Sequence, residues 1–135
     1  MTGNYLFVYG TLLDDTNEFA IYLKNNCSLY AKGKFKGRLY DIGEYPGAIA
    51  DSNYPSYVYG SIFILKDATS ALKYLDDYEG FGPEQEQPNL FVRGIIEVEI
   101  AKGIVNCWCY LYNLPIDGLV LIGSGDYLRY RNNKL

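Results

Sequence analysis

The chain has no histidine among its 135 residues. That absence removes Ser-His-Asp and Cys-His catalysis, and every histidine-ligated metal, from the chemistry open to it. Cysteine is scarce too. Cys27, Cys107 and Cys109 are an odd number and cannot form a fully paired disulfide set, which fits a reducing compartment. Cys107-Trp108-Cys109 has neither the spacing of a zinc knuckle nor that of a redox C-x-x-C. On a strand both sulfurs point to one face, and they read as small apolar residues rather than metal ligands. A basic excess is also missing: 12 Lys and Arg stand against 16 Asp and Glu, a net charge of −4. A nucleic-acid partner calls for the opposite sign. Lys32, Lys34, Lys36 and Arg38 alternate along a strand-like segment and read as a solvated face. No stretch is long enough to span a membrane as a helix. Met1 to Val8 has no basic start, and its apolar run is too short for a signal peptide, so the expectation is a cytoplasmic protein. Neither G-x-x-x-x-G-K-[ST] nor G-x-G-x-x-G occurs, so nucleotide binding through those loops is unsupported.

What the chain does have is aromatic surface. Fifteen tyrosines, six phenylalanines and one tryptophan supply large rings, many with a polar tip that needs a partner when buried. Half of the residues (49%) are hydrophobic and only 21% are charged, the balance of a packed domain rather than a disordered one. The length suits a single domain over residues 1–135. Tyr5 to Tyr9 reads as a buried strand ending at Gly10. Asp14, Asp15 and Thr16 offer N-caps for a helix to about Asn25, with Leu13, Phe19, Tyr22 and Leu23 on its apolar face. Ser28 to Leu39 looks extended, with Gly33 and Gly37 marking bulges or tight bends. Tyr45-Pro46-Gly47 reads as a turn, and Tyr57 to Leu65 as a strand. Asp67 opens a second helix that Gly80 ends. A loop follows to Asn89. Leu90–Ile100 and Ile104–Tyr112 form a hairpin across Lys102-Gly103, and Glu97 and Glu99 fall on its solvent face. The tail from Asn113 reads as mostly irregular, with Ser124 to Tyr127 a turn. Five or six strands and two or more short helices make an α+β fold with a small, curved, barrel-like sheet.

Two segments carry candidate chemistry. Tyr9-Gly10-Thr11-Leu12 follows a buried strand. Its backbone N–H groups can converge on an anion, or it is an ordinary strand-to-helix turn. Leu75-Asp76-Asp77-Tyr78-Glu79-Gly80 crowds three carboxylates at a helix C-terminus, the wrong sign for the helix dipole, and such local conflicts mark functional or strained sites. Asp76 and Asp77 can turn to water. Glu79 follows Leu72 and Leu75 along the apolar stripe, where burial and the dipole push its pKa upward, toward the range of a general base. A solvated glutamate at a frayed helix end is the alternative on these residues alone. Glu84 and Glu86 read as solvated, in a loop that can cover a pocket. Arg93 is placed to pair with a carboxylate or a ligand acid, or to face water from an edge strand.

Taken together, these segments resemble the γ-glutamylcyclotransferase-like family, which includes the γ-glutamylamine cyclotransferases and the avirulence-induced-gene-2-like (AIG2-like) proteins. The resemblance rests on Phe7-Val8-Tyr9-Gly10-Thr11-Leu12, Gly37-Arg38-Leu39-Tyr40-Asp41, Tyr45-Pro46-Gly47-Ala48, Val58-Tyr59-Gly60-Ser61-Ile62-Phe63, Leu75 to Gly80, Phe91-Val92-Arg93, Cys107 to Tyr112 and the Ser124 to Tyr127 tail. It implies a small barrel flanked by helices with a cavity at one end. It also implies a cyclotransferase that releases 5-oxoproline and a free amine from a γ-glutamyl amine, amino acid or isopeptide. By resemblance the catalytic glutamate is Glu79, and Tyr9, Gly10, Thr11 and Leu12 hold the substrate's α-amino-acid end. Arg93 and Tyr110 are further candidates for substrate contact. No metal and no organic cofactor is implied, nor a nucleic-acid or membrane partner. Nothing in the sequence demands more than a monomer. Many relatives carry Tyr-x-Arg where this chain has Phe91-Val92-Arg93; that ring either bonds substrate or only packs. A non-catalytic pocket protein for a small amino-acid-like ligand is the competing class.

Overall fold

The computed structural model describes residues 4–9, 18–43 and 45–133, except for the side chains of Phe19, Asn132 and Asn133. Within these lie β1 (Tyr5–Val8), α1 (Glu18–Asn26), β2 (Cys27–Asp41), β3 (Pro46–Ala50), β4 (Tyr57–Leu65), α2 (Ala68–Glu79), β5 (Phe91–Ile100), β6 (Gly103–Tyr112), β7 (Val120–Leu121) and α3 (Tyr127–Asn133). Five of the strands close on themselves in the order β2-β4-β1-β6-β5, and β5 returns to β2. All of these pairings are antiparallel except β1 with β6, where Leu6 lies beside Trp108. β3 and β7 add to β2 outside the barrel. Closure removes the unpaired edges that an open sheet of these strands would expose.

The closing seam depends on a glycine. Lys34 pairs with Glu99 where β2 meets β5. A Cβ on the preceding residue, Gly33, would stand 2.5 Å from Val98 Cγ1 and 3.0 Å from the Glu99 carbonyl oxygen. Only a residue without a side chain lets the two strands come this close. The glycines expected to mark bulges therefore mark close approaches instead; the one register shift between β2 and β4 falls between Leu29 and Ala31.

Period-two alternation splits the apolar residues into two cores. Phe7, Tyr9, Phe35, Val58, Ile62, Val98, Cys107 and Cys109 fill the barrel. Leu6, Val8, Leu65, Phe91 and Tyr110 point outward, against Leu23 of α1 and Ala71 and Leu75 of α2. The two cysteine sulfurs thus share one face, as expected. Both are buried free thiols, and burial pushes Cys107 up to about 12, which suits inert packing groups.

One local reading needs correction, one an addition, and one lies partly outside the described residues. Pro46 opens a strand, β3, rather than sitting in a turn; as the first residue of an outlying strand it needs no ladder N–H. The tail is mostly irregular, as expected, but carries two short elements. β7 pairs with Tyr40 and Asp41, and α3 is capped by Asp126, whose carboxylate accepts from the Arg129 N–H at 3.1 Å. The Tyr130 hydroxyl then donates to Asp41 at 2.7 Å, tying α3 to β2. Finally, α1 runs from Glu18 to Asn26, while the expected caps at Asp14, Asp15 and Thr16 lie outside the described residues.

Candidate active site

The site is built where β1 ends and α2 ends. Asp67 caps α2 at its start by accepting from the Ser70 N–H at 3.2 Å. Ala71 and Leu75 are buried against the outer face of the barrel. Gly80 stops the helix in the left-handed region (φ 74°), and the Phe81 N–H closes the last turn on the Asp76 carbonyl at 2.9 Å. Four residues beyond the buried Leu75, Glu79 is therefore held on the side of the helix facing the barrel. The sequence-based alternative of a solvated glutamate does not hold.

Glu79 is half-buried, and burial pushes its carboxyl from the ordinary 4.5 up to about 7. Among the described residues no hydrogen bond or ion pair reaches it. Its charge is felt at Tyr9, Tyr78, Cys109 and Tyr110. Tyr9 is fixed from two directions. Its hydroxyl donates to the Tyr110 carbonyl at 2.6 Å and accepts from the Ala48 N–H at 3.2 Å. Burial above all, with Cys109 and Glu79 adding to it, holds the Tyr9 phenol well above its usual range, so it stays protonated. Gly10, Thr11 and Leu12 lie outside the described residues.

Asp76, three residues before Glu79, does not turn to water. Arg93 of β5 clamps it with both arms of its fork, Nε to Oδ1 at 2.8 Å and Nη2 to Oδ2 at 3.1 Å. The Tyr110 hydroxyl adds a third bond to Oδ1 at 2.6 Å. The last turn of α2 has no basic residue of its own, so Arg93 supplies from β5 the cation that the helix end lacks. The guanidinium lies 4.5 Å from the Trp108 ring centroid. Phe91, two residues earlier, is buried edge-on to Tyr112 with ring centroids 6.0 Å apart, so here the ring packs.

Asp76, Asp77, Lys73, Phe81 and Arg93 line an open groove of about 610 Å³ together with the loop after Gly80. That loop is folded around Asn89, a residue the sequence reading passed over. Its side chain accepts from the Gly82 N–H and donates to the Gly82 and Glu86 carbonyls, each at 3.1 Å. The pattern is an Asn closing a loop on its own backbone, a signal visible only as an Asn at the loop's end. The structure thus ties Tyr9 to Tyr110, and sets Tyr110 and Arg93 on Asp76, one turn before Glu79 on α2. Among the described residues no group of His, Cys, Asp and Glu is placed to hold a metal ion, and no helix is long and apolar enough to cross a membrane.

A family model described as gamma-glutamyl cyclotransferase, AIG2-like, matches residues 6–129. A gamma-glutamylcyclotransferase family protein of Citrobacter rodentium is 30% identical over 124 residues, covering 91% of this chain and 94% of that one. The Escherichia coli K12 family protein YtfP is 34% identical over 91 residues, 67% of each chain. The solution structure of Escherichia coli ytfP, 29% identical, superposes with a TM-score of 0.65 over 94% of this chain and 98% of that one. The closed five-stranded barrel with outlying strands and short helices is the fold these relatives share.

Proposed function

The chain belongs to the AIG2-like γ-glutamylcyclotransferase family, and from that premise we propose that it is a cyclotransferase releasing 5-oxoproline and a free amine from a γ-glutamyl amine, amino acid or isopeptide, with Glu79 as general acid and base. One observation carries the reading: a carboxyl without a hydrogen-bond partner among the described residues, raised to about 7 by burial, whose charge is felt at the buried Tyr9 and Tyr110.

The substrate brings its own nucleophile. Its α-amine attacks the γ-carbonyl carbon, the ring C–N bond forms, and the bond to the leaving nitrogen breaks. Attack within one molecule supplies a large proximity advantage if the folded conformer is held. Glu79 takes a proton from the α-ammonium and delivers one to the departing amine. A pKa near 7 suits both halves, because the group is neither too weak a base nor too weak an acid. Gly10, Thr11 and Leu12 would supply main-chain N–H groups to the α-carboxylate or the developing oxyanion. Neither metal nor organic cofactor has a step in this scheme.

The test is Glu79→Gln. Unchanged ligand binding with loss of 5-oxoproline release supports the reading, and full turnover by the variant removes Glu79 as the base. A wild type that binds γ-glutamyl compounds but turns over none of a broad panel is a pocket protein instead.

A further inference from the structure

Asp76 and Glu79 are three residues apart on α2 and so are neighbours on its surface. Tyr110 joins their surroundings. Its hydroxyl donates to Asp76, and its oxygen lies within reach of the Glu79 charge. A phenol has one proton to give and lone pairs to receive. With the proton committed to a carboxylate at 2.6 Å, the Tyr110 oxygen offers a ligand only an acceptor. Burial first, then the bond to Asp76, keep that proton on the phenol at any ordinary pH. Asp76 in turn cannot swing, because Arg93 grips both of its oxygens.

We infer that Asp76, held by Arg93, is a positioning residue: it engages the Tyr110 proton, so that the Tyr110 oxygen accepts a hydrogen bond from the substrate's α-ammonium beside Glu79. The inference rests on the cyclotransferase reading above. It gives Tyr110 a direction of bonding and makes the charge of Asp76 part of substrate orientation rather than surface decoration. A purely structural clamp, tying α2 to β5, differs from it in how variants combine.

The experiment is a double-mutant cycle on Asp76→Ala and Tyr110→Phe, with kcat and KM for 5-oxoproline release and the thermal midpoint measured on all four proteins. The substrate is whichever γ-glutamyl compound the wild type turns over fastest in a panel of γ-glutamyl amines and amino acids. Asp76→Ala removes the acceptor of the Tyr110 proton and of both guanidinium bonds. Tyr110→Phe is expected to raise KM roughly tenfold or more, the loss of a hydrogen bond to a charged group, with a smaller change in kcat. Asp76→Ala is expected to raise KM several-fold in the wild type and to add nothing in the Tyr110→Phe background. Equal losses in both backgrounds, or a fall in thermal midpoint with KM unmoved, overturns the inference. If Asp76→Ala does not fold, Arg93→Lys, which keeps the charge but loses the fork, goes through the same cycle with the same expectations. A wild type inactive on the whole panel sinks the cyclotransferase reading and this inference with it; an active wild type with additive variants sinks the inference alone.

Discussion

Asp76 and Glu79 sit one turn apart on the same helix, carry the same functional group, and have opposite surroundings. Asp76 has three charge-assisted or phenolic hydrogen bonds and an arginine partner. Glu79 has burial and, among the described residues, no such bond. Partners, rather than residue type, decide which carboxylate is held as an ion-pair acceptor and which is raised by burial. An ion pair fixes a charge; a carboxyl left in a desolvated pocket titrates near neutrality.

Substitutions can break that comparison at either end. The largest effect expected is on turnover: Glu79→Gln lowers kcat by roughly 10²–10⁴-fold, the usual worth of a positioned acid–base group, measured as 5-oxoproline release. Next comes a stability effect of opposite sign. The folded-state pKa of Glu79 is raised, so its contribution is fully present below the unfolded value near 4.5 and is lost as pH rises through about 7. Glutamine mimics the protonated form. Glu79→Gln is therefore expected to be more stable than wild type by about 2–3 kcal/mol at pH 8, with the gap closing below pH 4.5, as read by urea unfolding at both pH values. Asp76→Ala is expected to do the reverse, costing about 1–3 kcal/mol at neutral pH because Arg93 and the Tyr110 hydroxyl lose their acceptor. Smallest is Asp67→Ala at the far end of α2, which removes only the N-cap. It should cost about 1 kcal/mol in unfolding and leave KM unmoved, the control that separates helix stability from site chemistry.

How much of this was legible beforehand follows from sequence separation. Glu79 was readable because helical spacing from Leu72 and Leu75 is a local property. The strand at Tyr5 was readable as a short buried run of aromatic and β-branched residues, and the hairpin across Gly103 through the alternation of Glu97 and Glu99 with Ile96, Val98 and Ile100. The clamp was not: Asp76 meets Arg93 across 17 residues and Tyr110 across 34, and no local pattern encodes either contact. Gly33 was visible as an oddity within a strand, but its purpose, letting β2 touch β5, appears only when the barrel closes. α3 was missed because a seven-residue helix shows little periodicity, and its cap, Asp126, reads equally well as a turn residue.

The central claim, that Glu79 is the proton carrier, is tested most directly by titrating its carboxyl by carbon NMR alongside the pH dependence of kcat/KM for 5-oxoproline release. Both should show the same midpoint near 7, activity rising as the carboxylate forms, with the Glu79→Gln protein losing both transitions. A Glu79 that titrates near 4.5, or a rate profile whose rise near 7 survives in Glu79→Gln, would contradict it.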